Sequence, residues 1–259
     1  MFFCCSLSSS LCAGSPGTVV RVPILVYHRF GPTVDSSMTV TTPVFESHLK
    51  YLRDHDYTVV SVRQLVRYLR GEQASLPPNA VVITADDDHR TVFSDMLPLV
   101  RRYRVLVTLF VYPSAISNAS YAMTWEQLEE LEESGLFDIQ SHSFWHPNFH
   151  IEKKRLAADE YRKFVNTQLI KSKMILEKKL GAKVDLLSWP FGIYDEELIA
   201  AARTAGYVAG FTLERRSASK SDDIMALPRY LMTDRMRGKA FESILSTSHD
   251  GREPSRTAR

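Results

Sequence analysis

Cysteine is missing from all but the first dozen residues of this 259-residue chain, where Cys4, Cys5 and Cys12 are the only three. From Gly14 onward neither a disulfide nor a thiolate metal site is available. Net charge is nearly missing as well. The 32 Lys and Arg against 30 Asp and Glu leave +2, so charge makes no case for a nucleic-acid or membrane partner. Beyond the opening residues no run is long and apolar enough to span a bilayer. After residue 22 there is no linker, repeat or low-complexity stretch to divide the chain. What is there is a soluble composition able to build a substantial core, 44% hydrophobic and 24% charged.

The two ends read differently from the middle. "MFFCCSLSSSLCAGSPG" is short and apolar, then rich in small residues. It resembles a shortened export signal without the positively charged leading region, with a disordered tail as the alternative. "HDGREPSRTAR" reads as a frayed end. The expected organisation is a signal-like or disordered segment at 1–21, one domain at 22–246, and a disordered tail at 247–259.

Between the ends, strand-like and helix-like segments alternate. "VPILVY" is an apolar strand, followed by a helix in "TPVFESHLKYLRDHDY" with Thr42 as N-cap and Pro43 at its first position. "TVVS" suggests a second strand, and Ser61 caps a helix that Gly71 closes. "AVVITA" is a third strand, and "RTVFSDMLPLVRRY" a helix with Pro98 as a kink point. "VLVTLFVY" is β-branched, and Thr124 with Gln127 forms a capping box at the head of "TWEQLEELEESG". Then come "FDIQS", a helical stretch from about 152 to 180, "VDLLSW", "YDEELIAAARTAG" and "YVAGFTL", with "ALPRYLM" and "GKAFESIL" as a last pair. Seven or eight such units predict an α/β fold in one domain, either a barrel or a doubly wound sheet.

In a parallel barrel the functional groups stand at the carboxyl ends of the strands. Here "ILVY" runs into His28, and "VVITA" into Asp86, Asp87 and Asp88. "FDIQS" runs into His142 and then His146, and "DLLSW" into Pro190, Phe191 and Gly192. Three adjacent carboxylates at a buried strand end repel one another, and a bound dication relieves that repulsion. Histidines four apart share a side if the backbone turns helically, and two imidazoles plus a carboxylate suit Zn²⁺ with an open coordination position. The bland readings are an N-cap and acidic first turn for the aspartates and surface or capping roles for the histidines. An N-cap accounts for one aspartate, not for three.

"ITADDDHR", "SHSFWH" and "SWPFG", in that order, resemble the first three motifs of the polysaccharide deacetylases, carbohydrate esterase family 4 with its NodB-homology domain, over about residues 22–235. The likeness is strongest to the branch that deacetylates the poly-N-acetylglucosamine of biofilms, where "YH" after the first strand and "WPFG" are typical. The resemblance implies a distorted (β/α) barrel of about seven or eight strands. It implies metal-dependent removal of N-acetyl groups from a polysaccharide, a hydrolysis of carbon–nitrogen bonds that are not peptide bonds. Carried over by position, Asp87, His142 and His146 would hold a divalent metal, Zn²⁺ first, with Co²⁺ or Ni²⁺ as alternatives. Asp86 would be the general base. His28 would protonate the departing amine, with a packing histidine as its alternative role. A backbone N–H around Phe191 would face the oxyanion.

Phe191, Trp145, Phe144, Trp189 and Tyr27 flank these motifs and are candidate sugar platforms, core packing being the ordinary role for Trp189. Such a substrate implies an exported protein, periplasmic or extracellular, and no nucleic-acid partner. Three departures from the family pattern stand out. Ala85 replaces an aromatic residue. Ser188 replaces an arginine, so the usual orienter of the catalytic aspartate is expected to be missing. Asp88 replaces a glycine that would permit positive φ, so activity is expected to be weakened rather than abolished. A glycan-binding relative impaired by Asp88 and a small-molecule amide hydrolase are the alternatives. His249 reads as an exposed tail residue, His89 as a mouth residue or the start of a helix, and His48, His55 and His150 as surface or helix-face residues.

Overall fold

A computed structural model describes residues 20–246. Of the signal-like or disordered segment expected at 1–21, residues 1–19 with the three cysteines lie outside the described residues, as does the tail from 247 with His249. The chain opens with β1 (Ile24–Tyr27), the short β2 (Arg29–Gly31) and β3 (Thr39–Thr41), α1 (Thr42–Asp54), β4 (Thr58–Val59) and α2 (Val62–Leu69). It continues through β5 (Ala80–Asp86), α3 (Leu97–Tyr103), β6 (Val107–Val111), α4 (Trp125–Glu133) and β7 (Phe137–Ser141). Three helices follow, α5 (Phe149–Arg155), α6 (Ala158–Asn166) and α7 (Ser172–Leu180). The last elements are β8 (Leu186–Ser188), α8 (Glu196–Thr204), β9 (Ala209–Phe211), β10 (Tyr230–Leu231) and α9 (Lys239–Ser246).

The main sheet is parallel, in the order β10-β1-β5-β6-β7-β8-β9 with β4 added alongside β5, and it curls into a half-barrel in a single α/β domain. Local signals placed most helices. Ser61 with Gln64 and Thr124 with Gln127 form the two capping boxes at the heads of α2 and α4. Others shifted. Thr41, not Thr42, caps α1, which puts Pro43 at its second position. The helical stretch expected from about 152 to 180 is broken where Leu156 and Ala157 turn extended, then runs from α6 through one π turn at Thr167–Lys171 into α7. Another π turn, Val92–Met96, precedes α3. The wide turn lies one turn ahead of Pro98, where it makes room for the ring and for the hydrogen bond that a proline cannot donate.

Strand alternation sorts the site from the core. Successive side chains on a strand point to opposite faces. Leu25, Tyr27, Val81, Ile83, Ala85, Leu109, Val111, Ile139 and Leu187 pack with Phe45, Leu49, Leu128, Leu176 and Leu198 of the surrounding helices. The other parity, Ile24, Val82, Phe110, Leu186, Ala209 and Phe211, forms a second cluster inside the barrel with residues of α2. Arg63 of α2 reaches Asp138 at the start of β7 and Asp185 just before β8, so α2 lies across the amino-terminal mouth. Counting on by twos from the inner set leads to His28, Asp86, His142 and Ser188 at the opposite, carboxyl-terminal mouth.

The barrel is closed by a segment that is mostly not strand. Gly210 N–H bonds the Ile224 carbonyl, and Gly210 in turn accepts from Leu227. A few residues later Tyr230 and Leu231 pair with Leu25 and Val26 of β1. Gly210 makes this approach possible: a Cβ there would lie 2.3 Å from the Met225 carbonyl oxygen and 2.7 Å from Trp189 Nε1. The same segment carries Arg229 inward, fully buried.

Candidate active site

Asp86 ends β5 and is buried. Arg229 grips it from the closing segment, Nη1 to Oδ1 and Nη2 to Oδ2, both at 2.7 Å. Ser188 at the end of β8 donates to Oδ2 at 2.8 Å and accepts from Arg229 Nη2 at 2.7 Å. The remaining guanidinium N–H groups reach the Thr212 carbonyl and the Thr84 hydroxyl. Burial alone would raise the Asp86 pKa, but the Arg229 charge and, after it, His142 outweigh burial and hold the carboxyl well below the usual range. Asp86 is therefore an oriented carboxylate. The orienter expected to be missing with Ser188 is present, supplied by Arg229 from the closing segment just before β10. Sequence reasoning missed it, although an arginine inside the apolar run "ALPRYLM" was the available signal.

Asp87, His142 and His146 bring one ligand atom each within 4.8 Å of the others. Asp87 Oδ1 lies 3.9 Å from Nε2 of both imidazoles. His142 Nδ1 is 2.7 Å from the Ser188 carbonyl oxygen. A carbonyl only accepts, so Nδ1 carries the proton and Nε2 offers its lone pair inward. Burial pushes the His142 pKa down to about 3 and lowers that of His146, with the Asp86 charge opposing in both cases. Both rings are thus neutral near pH 7, the form that ligates metal. Metal bonds of about 2.0–2.2 Å to nitrogen and carboxylate oxygen fit a donor triangle of this size. The residues present suit a divalent ion.

The local backbone that builds this triangle is not helical. Asp87, Ser143 and His146 all have positive φ, at 66°, 65° and 61°, so His142 and His146 meet through a kinked loop instead of a helical turn. Ser143 Oγ accepts from His146 N–H, and Gln168 of the π turn accepts from Trp145 N–H, pinning the loop. The positive φ expected at position 88 falls instead on Asp87. Asp88 is costly for another reason. Its side chain is buried and neither carboxylate oxygen has a hydrogen-bond partner among the described residues. The nearby Tyr112 hydroxyl meets Tyr121 at 2.9 Å and offers Asp88 only weak relief, lowering its pKa less than burial raises it. Burial, then the Asp87 charge, push the Asp88 pKa up to about 8.

His28 is buried between β1 and β2 with Nδ1 unpartnered among the described residues. Burial lowers its pKa, while Asp86 and Asp87 pull the other way. Phe191, 56% exposed, sits at positive φ (57°) and packs edge-on against His146 at 4.5 Å. Gly192 follows at φ 69°, and a Cβ there would meet Leu213 N at 3.0 Å. Trp145 is 49% exposed, and Phe144 carries the Lys171 ammonium 4.0 Å above its ring.

Of the candidate platforms, Tyr27 does not reach the mouth, and Trp189 takes the core-packing role that was its alternative. Tyr27 is fully buried against Phe45 and bonds His48. Trp189 is fully buried and donates to the Met225 carbonyl at 2.8 Å. Each lies one residue out of phase with the inner set, so it faces the helices. His48, expected as a surface or helix-face residue, lies on the buried face of α1, whereas His55 and His150 are exposed. His89 bonds Thr91 at the head of the helical turn and also stacks on Tyr121.

A profile of the polysaccharide deacetylase family matches residues 73–210, more than half of the chain. The Bacillus subtilis protein YxkH is 27% identical over 227 residues, 88% of this chain and 77% of that protein. The poly-beta-1,6-N-acetyl-D-glucosamine N-deacetylase of Staphylococcus epidermidis is 25% identical over 214 residues, 80% of this chain and 71% of that protein. Among solved structures, the Streptococcus pyogenes deacetylase PplD has the same fold, with a TM-score of 0.78 at 22% identity over 88% of this chain and 99% of that one. The profile runs through β5 to β8 and into β9, the strands whose ends meet at this mouth, and the chain belongs to the polysaccharide deacetylase family.

Proposed function

We propose that this polysaccharide deacetylase is a divalent-metal-dependent enzyme acting on a poly-N-acetylglucosamine-like polymer outside the cytoplasm, with residues 22–246 as its catalytic domain. The observation that carries the reading is the convergence of Asp87, His142 and His146 beside an Asp86 held by Arg229. Asp87 and the two Nε2 atoms would hold the ion, Zn²⁺ first by its preference for nitrogen and oxygen donors, with Co²⁺ or Ni²⁺ able to replace it. When bound, the ion supplies Lewis-acid polarisation of the acetyl carbonyl and of water.

The chain's own residues do the rest. Asp86 takes a proton from the attacking water while its oxygen bonds to the acetyl carbon. The Phe191 backbone N–H faces the developing oxyanion. The carbon–nitrogen bond then breaks, and His28 protonates the sugar nitrogen, so acetate and a free amine leave. His28 must first take up a proton, because burial favours its neutral form; Asp86 and Asp87 stabilise the imidazolium once formed. Phe191, Trp145 and Phe144 are proposed to contact sugar rings through their C–H faces. Similarity to the Staphylococcus epidermidis enzyme supports the substrate class.

The test is acetate release from N-acetylglucosamine oligomers by the metal-loaded protein, before and after chelation. Loss on chelation and recovery with Zn²⁺, Co²⁺ or Ni²⁺ is expected. Acetate release that persists without metal would overturn the mechanism.

A further inference from the structure

We infer that Tyr121, with Tyr112 and His89 behind it, forms a preorganised aromatic shelf that binds a second sugar ring beside the reacting one, making the enzyme selective for oligomers over short substrates. This deepens the proposed function and rests on it. The shelf continues directly from the catalytic centre. The Tyr112 ring at the end of β6 lies 5.4 Å from the His146 ring, and its hydroxyl meets the Tyr121 hydroxyl at 2.9 Å. The His89 ring stacks on Tyr121 at 10°. An arc of rings thus runs from Phe191 through His146 and Tyr112 to Tyr121, ending on a tyrosine that is 40% exposed.

A half-exposed tyrosine on a long loop is ordinarily mobile surface. This one is fixed from both sides. Arg90 N–H donates to the Tyr121 carbonyl, Met123 N–H to the Asp88 carbonyl, each at 2.8 Å, and His89 bridges Ala122 in antiparallel fashion. Arg90 also reaches the Ser120 carbonyl at 3.1 Å. The loop after β6 is therefore anchored to the residues just past the acidic trio, so the ring's position is set by the strand that carries the base. Fixing an aromatic face before the ligand arrives removes much of the ordering cost of binding. Pyranose faces carry C–H patches that stack on such rings, and the paired hydroxyls offer a polar edge to sugar hydroxyls.

The experiment compares acetate release from an N-acetylglucosamine disaccharide and pentasaccharide by the metal-loaded enzyme. Tyr121→Ala is expected to lower the pentasaccharide-to-disaccharide ratio of kcat/KM about five- to tenfold, and Tyr121→Phe to keep most of it. An unchanged ratio in Tyr121→Ala would overturn the shelf. If wild type releases acetate from neither sugar, the proposed function fails, and calorimetric binding of the pentasaccharide then decides the shelf alone. Binding weakened by Tyr121→Ala supports it, whereas equal binding, or none by wild type, overturns it.

Discussion

Arg229 and Asp86, 143 residues apart, meet in two parallel hydrogen bonds of 2.7 Å inside the barrel mouth. Such a fork fixes both the position and the ionisation of the carboxylate. Arg229→Lys keeps the charge but not the fork, so kcat is expected to fall about 100-fold with metal content unchanged. Because Arg229 holds the Asp86 pKa down, loosening it should move the acidic limb of the pH–rate profile to higher pH. A profile that stays in place would show that Arg229 serves packing alone.

The roles of the two adjacent aspartates should separate cleanly. Asp86→Asn is expected to lose about 10²–10⁴-fold in acetate release while retaining metal, and Asp87→Asn to lose the metal itself. Elemental analysis of the two purified variants distinguishes them. Equal metal loss in both would mean that Asp86 is also a ligand.

Asp88 gives a pH signature in stability. An unfolded aspartate titrates near 3.8, whereas burial pushes Asp88 up to about 8. Between those values the folded protein keeps a proton that the unfolded chain releases, so stability falls as pH rises from about 4 to about 8. Asp88→Asn removes that slope. Thermal unfolding with chelator present should find the variant clearly more stable than wild type at pH 8 and close to it at pH 4. Parallel curves would contradict the raised pKa of this buried carboxyl.

His48 acts in the opposite direction, away from the site. It accepts from the Tyr27 hydroxyl through Nδ1, donates to the Met236 carbonyl through Nε2, and stacks on Phe241 of α9 at 4.0 Å. Burial lowers its pKa from 6.5 to about 4. The unfolded chain binds the proton first, so stability present above pH 6.5 is lost as pH falls toward 4, by on the order of 3 kcal/mol. His48→Gln should flatten that part of the curve, read as a smaller drop in Tm between the two pH values.

Much of this molecule is legible along the chain. The capping boxes at Ser61 and Thr124 are local hydrogen-bond patterns, and the apolar strands run straight into their polar ends. Strand parity decides two of the aromatic residues: Tyr27 and Trp189 stand next to motif residues in sequence, and that adjacency turns them to the helices. Arg229 was harder to find, because its partner lies on a strand far away in sequence and neither residue's neighbours name the other. The positive φ at Asp87 in place of Asp88 was also out of reach, since a single turn geometry is chosen by what packs around it.

By itself the sequence determined the order of strands and helices, the parity that sends His28, Asp86, His142 and Ser188 inward, and the donor types at the mouth. These are properties of local propensity and alternation, complete within a few residues. Only the tertiary structure decided that a non-strand segment closes the barrel and brings Arg229 onto Asp86, that a kinked loop brings His146 to Asp87, and that Asp88 is buried beside Asp87. Those outcomes depend on close approach between distant segments, and close packing in a barrel is settled by the whole chain at once.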